Sequence, residues 1–497
     1  MSSDMPRAAR AGRDPVALGL AVAITVALIA TATRYGYHGD ELYFVEAGQH
    51  PAWGYADQGP LTPLLARLLT GIDAGSLTVL RLPSALATGA VTVLTASMAG
   101  RLGAGRTGQR IAASCVAFSV FVVFTGHLLS TSTIDLLVWT LASYFAVLAL
   151  QTGNDRYWIA VGATLGVGLF NKPLPAFLAA ALLIGIAIGG PRRVLGRPGF
   201  WVGAALVVVS AVPFVAWQSM HGWPQLTVAA SIAGGGSTSS QPWWAVVPFQ
   251  VLLVGPPLAP IWIAGLVRTF RGKDPVLRCF GWAWVVLAVA FMATGGKPYY
   301  LAGLLPLLVA AGAAPTERWL SRGAGRRRPT LVGAGVAVSA VAVALLALPL
   351  LPASDAGLAV AVNPDVGETI GWPDLVATTA RVVDAQPDPH AVVLLADYYD
   401  EAGALDRYGP RYGLPQAYSG HNAFGYWGPP HAAADRPVVV VGYSVRGASA
   451  YLRGCRLAAR VHDAAGVQNN ESGDPVVVCR GVHGSWAAQW PRIRHLG

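Results

Sequence analysis

Two adjacent carboxylates stand a few residues beyond the first apolar run of this chain, in Tyr37-His38-Gly39-Asp40-Glu41-Leu42-Tyr43-Phe44. Near a membrane surface such a pair costs desolvation unless it takes a cation, a substrate hydroxyl or water. The same residues also fit a solvated loop in which Gly39-Asp40 caps the start of a helix. Lysine usage gives a second signal: all but three of the 35 basic residues are arginine, and two of the three lysines, Lys172 and Lys297, fall at span ends where positive charge is normally avoided. They lie in Asn171-Lys172-Pro173-Leu174-Pro175 and in Gly295-Gly296-Lys297-Pro298-Tyr299-Tyr300. An anionic headgroup such as a lipid phosphate would explain them, and so would snorkelling to ordinary phospholipid heads. Asp135, in Ser130-Thr131-Ser132-Thr133-Ile134-Asp135, opens another apolar run as a functional acid or a helix cap. Asp57-Gln58-Gly59-Pro60-Leu61 adds an acid close to Arg67, while Trp243-Trp244 reads as an interfacial anchor.

The elements that must position these groups are membrane spans. Hydrophobic residues make up 54% of the 497 and charged ones only 12%, and the mean hydropathy is +0.49, values of a chain dissolved mostly in lipid. The net charge of +10 sits in short clusters between apolar runs, the pattern that orients a chain in a bilayer, which excludes a nucleic-acid partner. Runs of about 20 apolar residues predict spans over 15–33, 80–100, 111–130, 134–151, 157–172, 173–190, 200–217, 243–267, 279–295, 300–315 and 330–351. With the N-terminus inside, the arginine clusters, from Arg7, Arg10 and Arg13 to Arg326, Arg327 and Arg328, fall on the cytoplasmic side, and the C-terminal region falls outside. An alternative for the first span is a cleaved signal peptide, with Ala30-Thr31-Ala32 as its cleavage site. Cys115 and Cys279 lie within spans as packing residues. Cys455 and Cys479 lie in the outer region, where an oxidising compartment permits a disulfide.

Two outer segments exceed simple turns. Residues 34–79 are polar and aromatic, with runs such as 63–69 that read as short helices at the membrane surface. Residues 218–242 include Gly234-Gly235-Gly236-Ser237-Thr238-Ser239-Ser240, typical of a mobile loop and a candidate lid. From residue 352 the composition turns soluble, with β-rich runs at 391–396, 437–442 and 475–479 and a helical pattern around 373–385. The expected architecture is a polytopic α-helical membrane protein of about 11 transmembrane helices, residues 1–351 with the long outer loop 34–79, followed by an extracytoplasmic α/β domain over 352–497. No internal repeat is visible, unlike the many transporters built from two similar halves.

Taken together these residues resemble the GT-C superfamily of membrane glycosyltransferases, and within it the bacterial relatives of protein O-mannosyltransferases and of lipid A aminoarabinose transferases. The resemblance covers most of the chain. It rests on Gly39-Asp40-Glu41, Asp57-Gln58-Gly59-Pro60-Leu61-Thr62-Pro63-Leu64, Thr133-Ile134-Asp135 and Gly296-Lys297-Pro298-Tyr299-Tyr300-Leu301. In the C-terminal region it continues through Gly371-Trp372-Pro373, Glu401-Ala402-Gly403-Ala404-Leu405, Ser419-Gly420-His421-Asn422 and Trp427-Gly428-Pro429-Pro430. What it implies is a GT-C-like fold and transfer of a hexosyl or pentosyl unit from a polyprenyl-phosphate donor to an extracytoplasmic glycan, lipid or protein acceptor at the plasma membrane. Asp40 matches the acid regarded as catalytic in the family. One departure is that aminoarabinose transferases carry Lys-Pro-Pro-Leu where this chain has Gln58-Gly59-Pro60-Leu61, which removes a positive charge and leaves the acceptor open.

The residue types suit that chemistry. Substitution at a sugar carbon passes through an oxocarbenium-like state and needs an aligned nucleophile on one face and a stabilised leaving group on the other. Asp40 would position and deprotonate the acceptor hydroxyl, with Glu41 orienting it or holding a cation. Lys172 and Lys297, with the Tyr299 and Tyr300 hydroxyls, would stabilise the departing phosphate. Asp57, Gln58, Arg67 and Asp135 would hold the acceptor or organise the loops. The donor carries its own leaving group, so no cofactor is required, although Asp40 and Glu41 leave room for a divalent cation. Competing readings are a transporter or flippase for a lipid-linked or anionic solute, using the same charges, and a non-catalytic receptor or assembly subunit.

Overall fold

The structure, a computed structural model, describes residues 14–236, 240–323 and 325–497. Arg7, Arg10 and Arg13 of the expected first basic cluster, and Ser237, Thr238 and Ser239 of the expected mobile loop, lie outside the described residues. The chain forms two compact units. The first takes in Met1–Thr31, Arg81–Ala216 and Ile232–Leu348, and the second Ala32–Leu80, Trp217–Ser231 and Pro349–Gly497.

Apolar helices build the first unit, as expected of a chain that must satisfy its backbone hydrogen bonds within lipid. Among the described residues six helices are long and apolar enough to cross a bilayer: Leu77–Arg101, Thr131–Thr152, Pro198–Met220, Pro275–Ala293, Pro298–Ser321 and Arg327–Leu346. A seventh is reached if Arg106–Ala117 and Val120–Gly126, bent by 59° at their break, count as one span. The run read as a single span over 243–267 is interrupted: a 3-10 turn at Trp243–Val246 and a short helix at Phe249–Val254 precede the helix Ala259–Arg271. The interruption falls at Gly255-Pro256-Pro257, where proline removes the N–H groups a continuous helix needs. Pro198–Met220 and Arg327–Leu346 each bury only 11% of their most apolar stretch, against 78% for Pro298–Ser321, so the first two turn their apolar surface to lipid. Elsewhere the helices meet at glycine: a Cβ on Gly265 or Gly312 would collide with the carbonyls of Leu308 and Ile261, the close backbone approach that small residues allow in membrane bundles.

The second unit holds a five-stranded sheet of order β2-β1-β3-β6-β5, formed by β1 Val393–Ala396, β2 Ala417–Ser419, β3 Val438–Val441, β5 Arg456–Arg460 and β6 Pro475–Cys479, while β4 Leu452–Arg453 pairs with β7 Gly481–Val482. β1 runs parallel to both β2 and β3, and β6 antiparallel to β3 and β5. Val438, Val439, Val440 and Val441 are all buried, the continuous apolar run of a strand covered on both faces. The helix Tyr399–Tyr408 makes the crossover from β1 to β2. The runs expected at 391–396, 437–442 and 475–479 coincide with β1, β3 and β6, and the helical pattern with Trp372–Asp384. β2 and β5 carried no sequence signal, because β2 is three residues long and Arg456-Leu457-Ala458-Ala459-Arg460 is an edge strand with a register shift between Leu457 and Ala459. Cys455 and Cys479 are disulfide-bonded.

Residues 32–80 belong to this sheet-containing unit, whereas chain order had grouped segment 34–79 with residues 1–351 and put the domain boundary at 351/352. The reason is packing and hydrogen bonding across long separations. Gly36 N–H donates to the Thr369 carbonyl at 2.9 Å, and Arg34 and Tyr35 donate to the carbonyls of Leu350 and Leu351 at 3.0 and 3.2 Å. Within the segment, the helix Leu61–Ile72 leaves Leu64, Leu68 and Ile72 exposed at a spacing of four, the apolar stripe of a helix lying in a membrane interface. Part of 218–242, read as loop, is the helix Pro224–Ala233.

Candidate active site

The adjacent carboxylates open the helix Gly39–Gln49, and the structure separates their roles. His38 is the N-cap: its Nδ1 accepts from the Asp40 N–H at 3.1 Å, while Glu41 Oε2 accepts from the His38 N–H at 3.0 Å. Glu41 is fully buried in that reciprocal cap, so the capping pair is His38 and Glu41 rather than Gly39-Asp40. Asp40 in the second helical position instead has its Oδ1 held by the Tyr399 hydroxyl at 2.9 Å. Glycine lets the two helices approach: a Cβ on Gly39 would lie 2.8 Å from Asp400 Cβ, and one on Gly403 would lie 2.9 Å from Leu42 Cβ. Tyr43, on the same helix, donates to Asp57 Oδ1 at 2.8 Å, and Asn422 Nδ2 donates to Asp57 Oδ2 at 3.2 Å. Asn422 reaches it from a left-handed backbone, φ 47°, which asparagine tolerates better than most side chains.

The surroundings of Asp40 are acidic and aromatic. With Nδ1 of His38 accepting, its Nε2–H faces Glu368 Oε2 at 3.5 Å. Burial, with the charges of Asp365, Asp400 and Asp40, pushes the Glu368 carboxyl well above its usual range. Burial lifts Asp400 to about 6 and Glu471 to about 9. Tyr399 stacks between Tyr43, at 4.5 Å, and His421, at 4.8 Å, and His421 in turn stacks on His495 at 4.7 Å. Burial and neighbouring carboxylates, Asp40 foremost, raise the Tyr399 phenol, so it stays a donor to Asp40 at neutral pH.

A second constellation lies in the first unit. A shallow cleft is lined by Ser132, Asp135, Lys172 and Tyr299, with Phe121, Leu136, Leu174, Ala302 and Gly303. Ser130 caps the helix Thr131–Thr152, accepting from the Ser132 N–H at 3.0 Å. Asp135 is therefore not the cap: it sits one turn in, buried, and accepts from Trp139 Nε1 at 3.1 Å. Lys172 follows the end of the helix Asp155–Leu169, its Nζ 3.3 Å from Ser132 Oγ and 5.7 Å from the centre of the Tyr299 ring. Lys297 Nζ stands 6.0 Å from the same ring. Tyr299 and Tyr300 leave the 3-10 turn Pro298–Leu304 edge to face, 5.1 Å apart. The cleft thus joins a buried acid, an ammonium group and a phenol with apolar walls, a set that can hold a phosphate or a sugar hydroxyl at a lipid boundary.

Residues 57–217 match the family described as dolichyl-phosphate-mannose-protein mannosyltransferase. ArnT from Cupriavidus metallidurans in the apo state superposes with a TM-score of 0.59 at 15% identity, over 93% of this chain and 97% of that one. The chain thus shares the fold of that ArnT and matches the mannosyltransferase family over residues 57–217. ArnT bound to undecaprenyl phosphate matches the same shares of both chains at 15% identity with a TM-score of 0.55, a likeness of fold. No curated protein matches at a significant level.

The remaining expected site residues fall in supporting positions. Arg67 NH1 donates to the Gly48 carbonyl at 3.1 Å, tying Leu61–Ile72 to the end of Gly39–Gln49. Gln58 is buried, its carbonyl accepting from the Tyr55 N–H at 2.9 Å and its Nε2 without a partner among the described residues. Among the described residues no group of three or more His, Cys, Asp and Glu side chains is arranged to hold a metal ion. Tyr399, Asn422, His38, Glu368 and Asp400 escaped the sequence reading as site residues. His421-Asn422 and Tyr43 stood within quoted motifs, but which carboxylate each would meet has no sequence signature, since the Tyr399–Asp40 contact spans 359 residues.

Proposed function

We propose that this chain is a membrane glycosyltransferase that moves a hexosyl or pentosyl unit from a polyprenyl-phosphate donor to an extracytoplasmic glycan, lipid or protein of the cell envelope. Asp40 is the base that takes the proton of the acceptor hydroxyl. The observation that carries this reading is the hold on Asp40: one oxygen is fixed by the Tyr399 phenol at 2.9 Å, which orients the other toward a hydroxyl, the preorganisation a general base needs. In the second constellation Lys172 and Lys297, around the Tyr299 ring with Tyr300 beside it, take the donor phosphate as charge builds on the leaving oxygen. Asp135 and Asp57 organise the two sites, and Glu41 serves Asp40 by capping its helix. The fold shared with ArnT and the family match over 57–217 support a lipid-linked donor.

The same proposal includes a topology: about eleven crossings of the plasma membrane, the N-terminus inside, and the sheet-containing unit outside, where the Cys455–Cys479 disulfide suits an oxidising compartment. Residues 352–497 then act as the outer α/β domain. The test is transfer of radiolabelled sugar from polyprenyl-phosphate donors to a membrane extract by purified wild type and Asp40→Asn, with the fold of both checked. Transfer by wild type that is lost in a folded Asp40→Asn supports the proposal. Equal activity removes Asp40 as the base, and no transfer from any donor points to transport of a lipid-linked or anionic solute.

A further inference from the structure

The sheet of the second unit has a feature that the transfer chemistry leaves unused. Its parallel strands run in the order β2-β1-β3. The chain leaves β1 toward β2 on one side, and β3 lies on the other. The connections after β1 and β3 therefore diverge and open a crevice at their carboxyl ends, the place where open α/β sheets take ligands. The first residues beyond β1 are Asp397 and Tyr398, and those beyond β3 are Gly442 and Tyr443. The Tyr443 hydroxyl donates to the Asp397 carboxylate. His495 is brought in by the C-terminal segment, which runs alongside the extension of β2: the His495 N–H donates to the Gly420 carbonyl at 3.0 Å, and the Asn422 N–H to the His495 carbonyl at 3.1 Å. His495 Nε2 then stands 3.8 Å from Asp397 Oδ1, and both side chains are partly open to solvent.

Three properties select the ligand. Tyr398 is 50% exposed and stands edge-on to the parallel rings of His421 and His495, an aromatic surface bordered by hydrogen-bonding groups. His421 accepts the Tyr399 N–H through Nδ1, which leaves a proton on Nε2, and that buried donor has no partner among the described residues. Glu401 lies behind the crevice, its Oε2 accepting from the Asp397 N–H at 3.0 Å, and the Asp397 carboxylate at the crevice itself turns away phosphates and carboxylates. A carboxylate and a His495 Nε2 that accept hydroxyl hydrogens, a His421 Nε2–H that donates, and a phenol ring that covers an apolar C–H face are complementary to a neutral polyhydroxylated ring.

We propose that the carboxyl ends of β1 and β3 form a subsite for a neutral sugar unit, with Tyr398 as its platform and Asp397 and His495 as its hydrogen-bonding contacts. Its role as an acceptor subsite rests on the transferase reading, but the binding itself does not. The stack from His495 through His421 to Tyr399 ends on Asp40, so the unit held here precedes the one whose hydroxyl reacts.

The test is saturation-transfer NMR on the full chain in nanodiscs, with neutral manno-, arabino-, gluco- and galacto-oligosaccharides at millimolar concentration as probes. Wild type transfers saturation to at least one of them. Asp397→Asn and Tyr398→Ala weaken binding about tenfold, the loss expected from one charged hydrogen bond or one ring contact, while Tyr398→Phe retains it. The absence of binding by wild type, or equal binding by Asp397→Asn and Tyr398→Ala, overturns the subsite. Should the sugar bind as described while no lipid-phosphate donor supports transfer, the subsite stands and the transferase reading falls. Tyr398→Phe keeps the ring and reports whether any loss in Tyr398→Ala comes from the platform or from misfolding.

Discussion

The carboxylate site around Asp40 and the cationic cleft around Lys172 are built in opposite ways. Asp40 and Asp57 are each held by hydrogen bonds from residues more than 350 positions away, Tyr399 and Asn422. In the cleft, the Lys172–Ser132 contact spans 40 residues and Asp135–Trp139 only four. The lesson is that the first site is specified by docking of distant segments, and the second by the ends of neighbouring helices. Each is therefore sensitive to a different kind of change.

The largest effect is expected at Asp40. Asp40→Asn keeps the volume and the Tyr399 contact but removes the base, so kcat in the transfer assay should fall by about 10²–10⁴-fold, the usual contribution of a general base, with little change in donor KM. Lys172→Ala should cost about 10²-fold in kcat/KM for the lipid-phosphate donor, as for loss of one preorganised electrostatic group, and should leave sugar binding at Asp397 untouched. If the two variants lower the same kinetic constant equally, the division of labour between the two sites is wrong.

A smaller effect follows from the support of Asp40. Tyr399→Phe deletes the hydroxyl and leaves the stacked ring, so kcat should drop by about tenfold, consistent with ~1.5–3 kcal/mol for a hydrogen bond to a charged acceptor. As a positioning residue Tyr399 should lower kcat while leaving the donor KM unchanged. Unchanged kcat with reduced thermal stability would make Tyr399 a packing residue only.

The smallest expected effect concerns stability against pH. Burial raises Asp400 to about 6, Glu46 to about 7 and Glu471 to about 9, so the folded second unit holds these protons more tightly than the unfolded chain does. A carboxyl raised in this way destabilises the fold as pH climbs from its unfolded value through its folded one. The melting temperature in nanodiscs should therefore be higher at pH 5 than at pH 8, and Glu471→Gln should flatten the upper part of that decline. A melting temperature that rises across this window would contradict the burial of these acids.

The sequence itself was sufficient for the membrane class, since apolar runs and clustered arginines report a lipid environment without any knowledge of packing. It also placed the helix Trp372–Asp384 and the strands β1, β3 and β6, whose signals are local. It singled out Asp40, Lys172 and Asp135 by residue type and position. It did not reveal that Glu41 is spent on capping, that the helix over 243–267 breaks, or that residues 32–80 fold with the C-terminal sheet. The cap and the break are local, set by His38 with Glu41 and by Pro256-Pro257, but the grouping of 32–80 with the sheet depends on hydrogen bonds and glycine contacts between segments hundreds of residues apart, such as Tyr399 with Asp40 and Gly403 with Leu42. Periodicity and composition record what one segment prefers, whereas a partner across the chain is chosen only when the backbone brings its donor within about 3 Å of the acceptor, and that choice belongs to the tertiary structure.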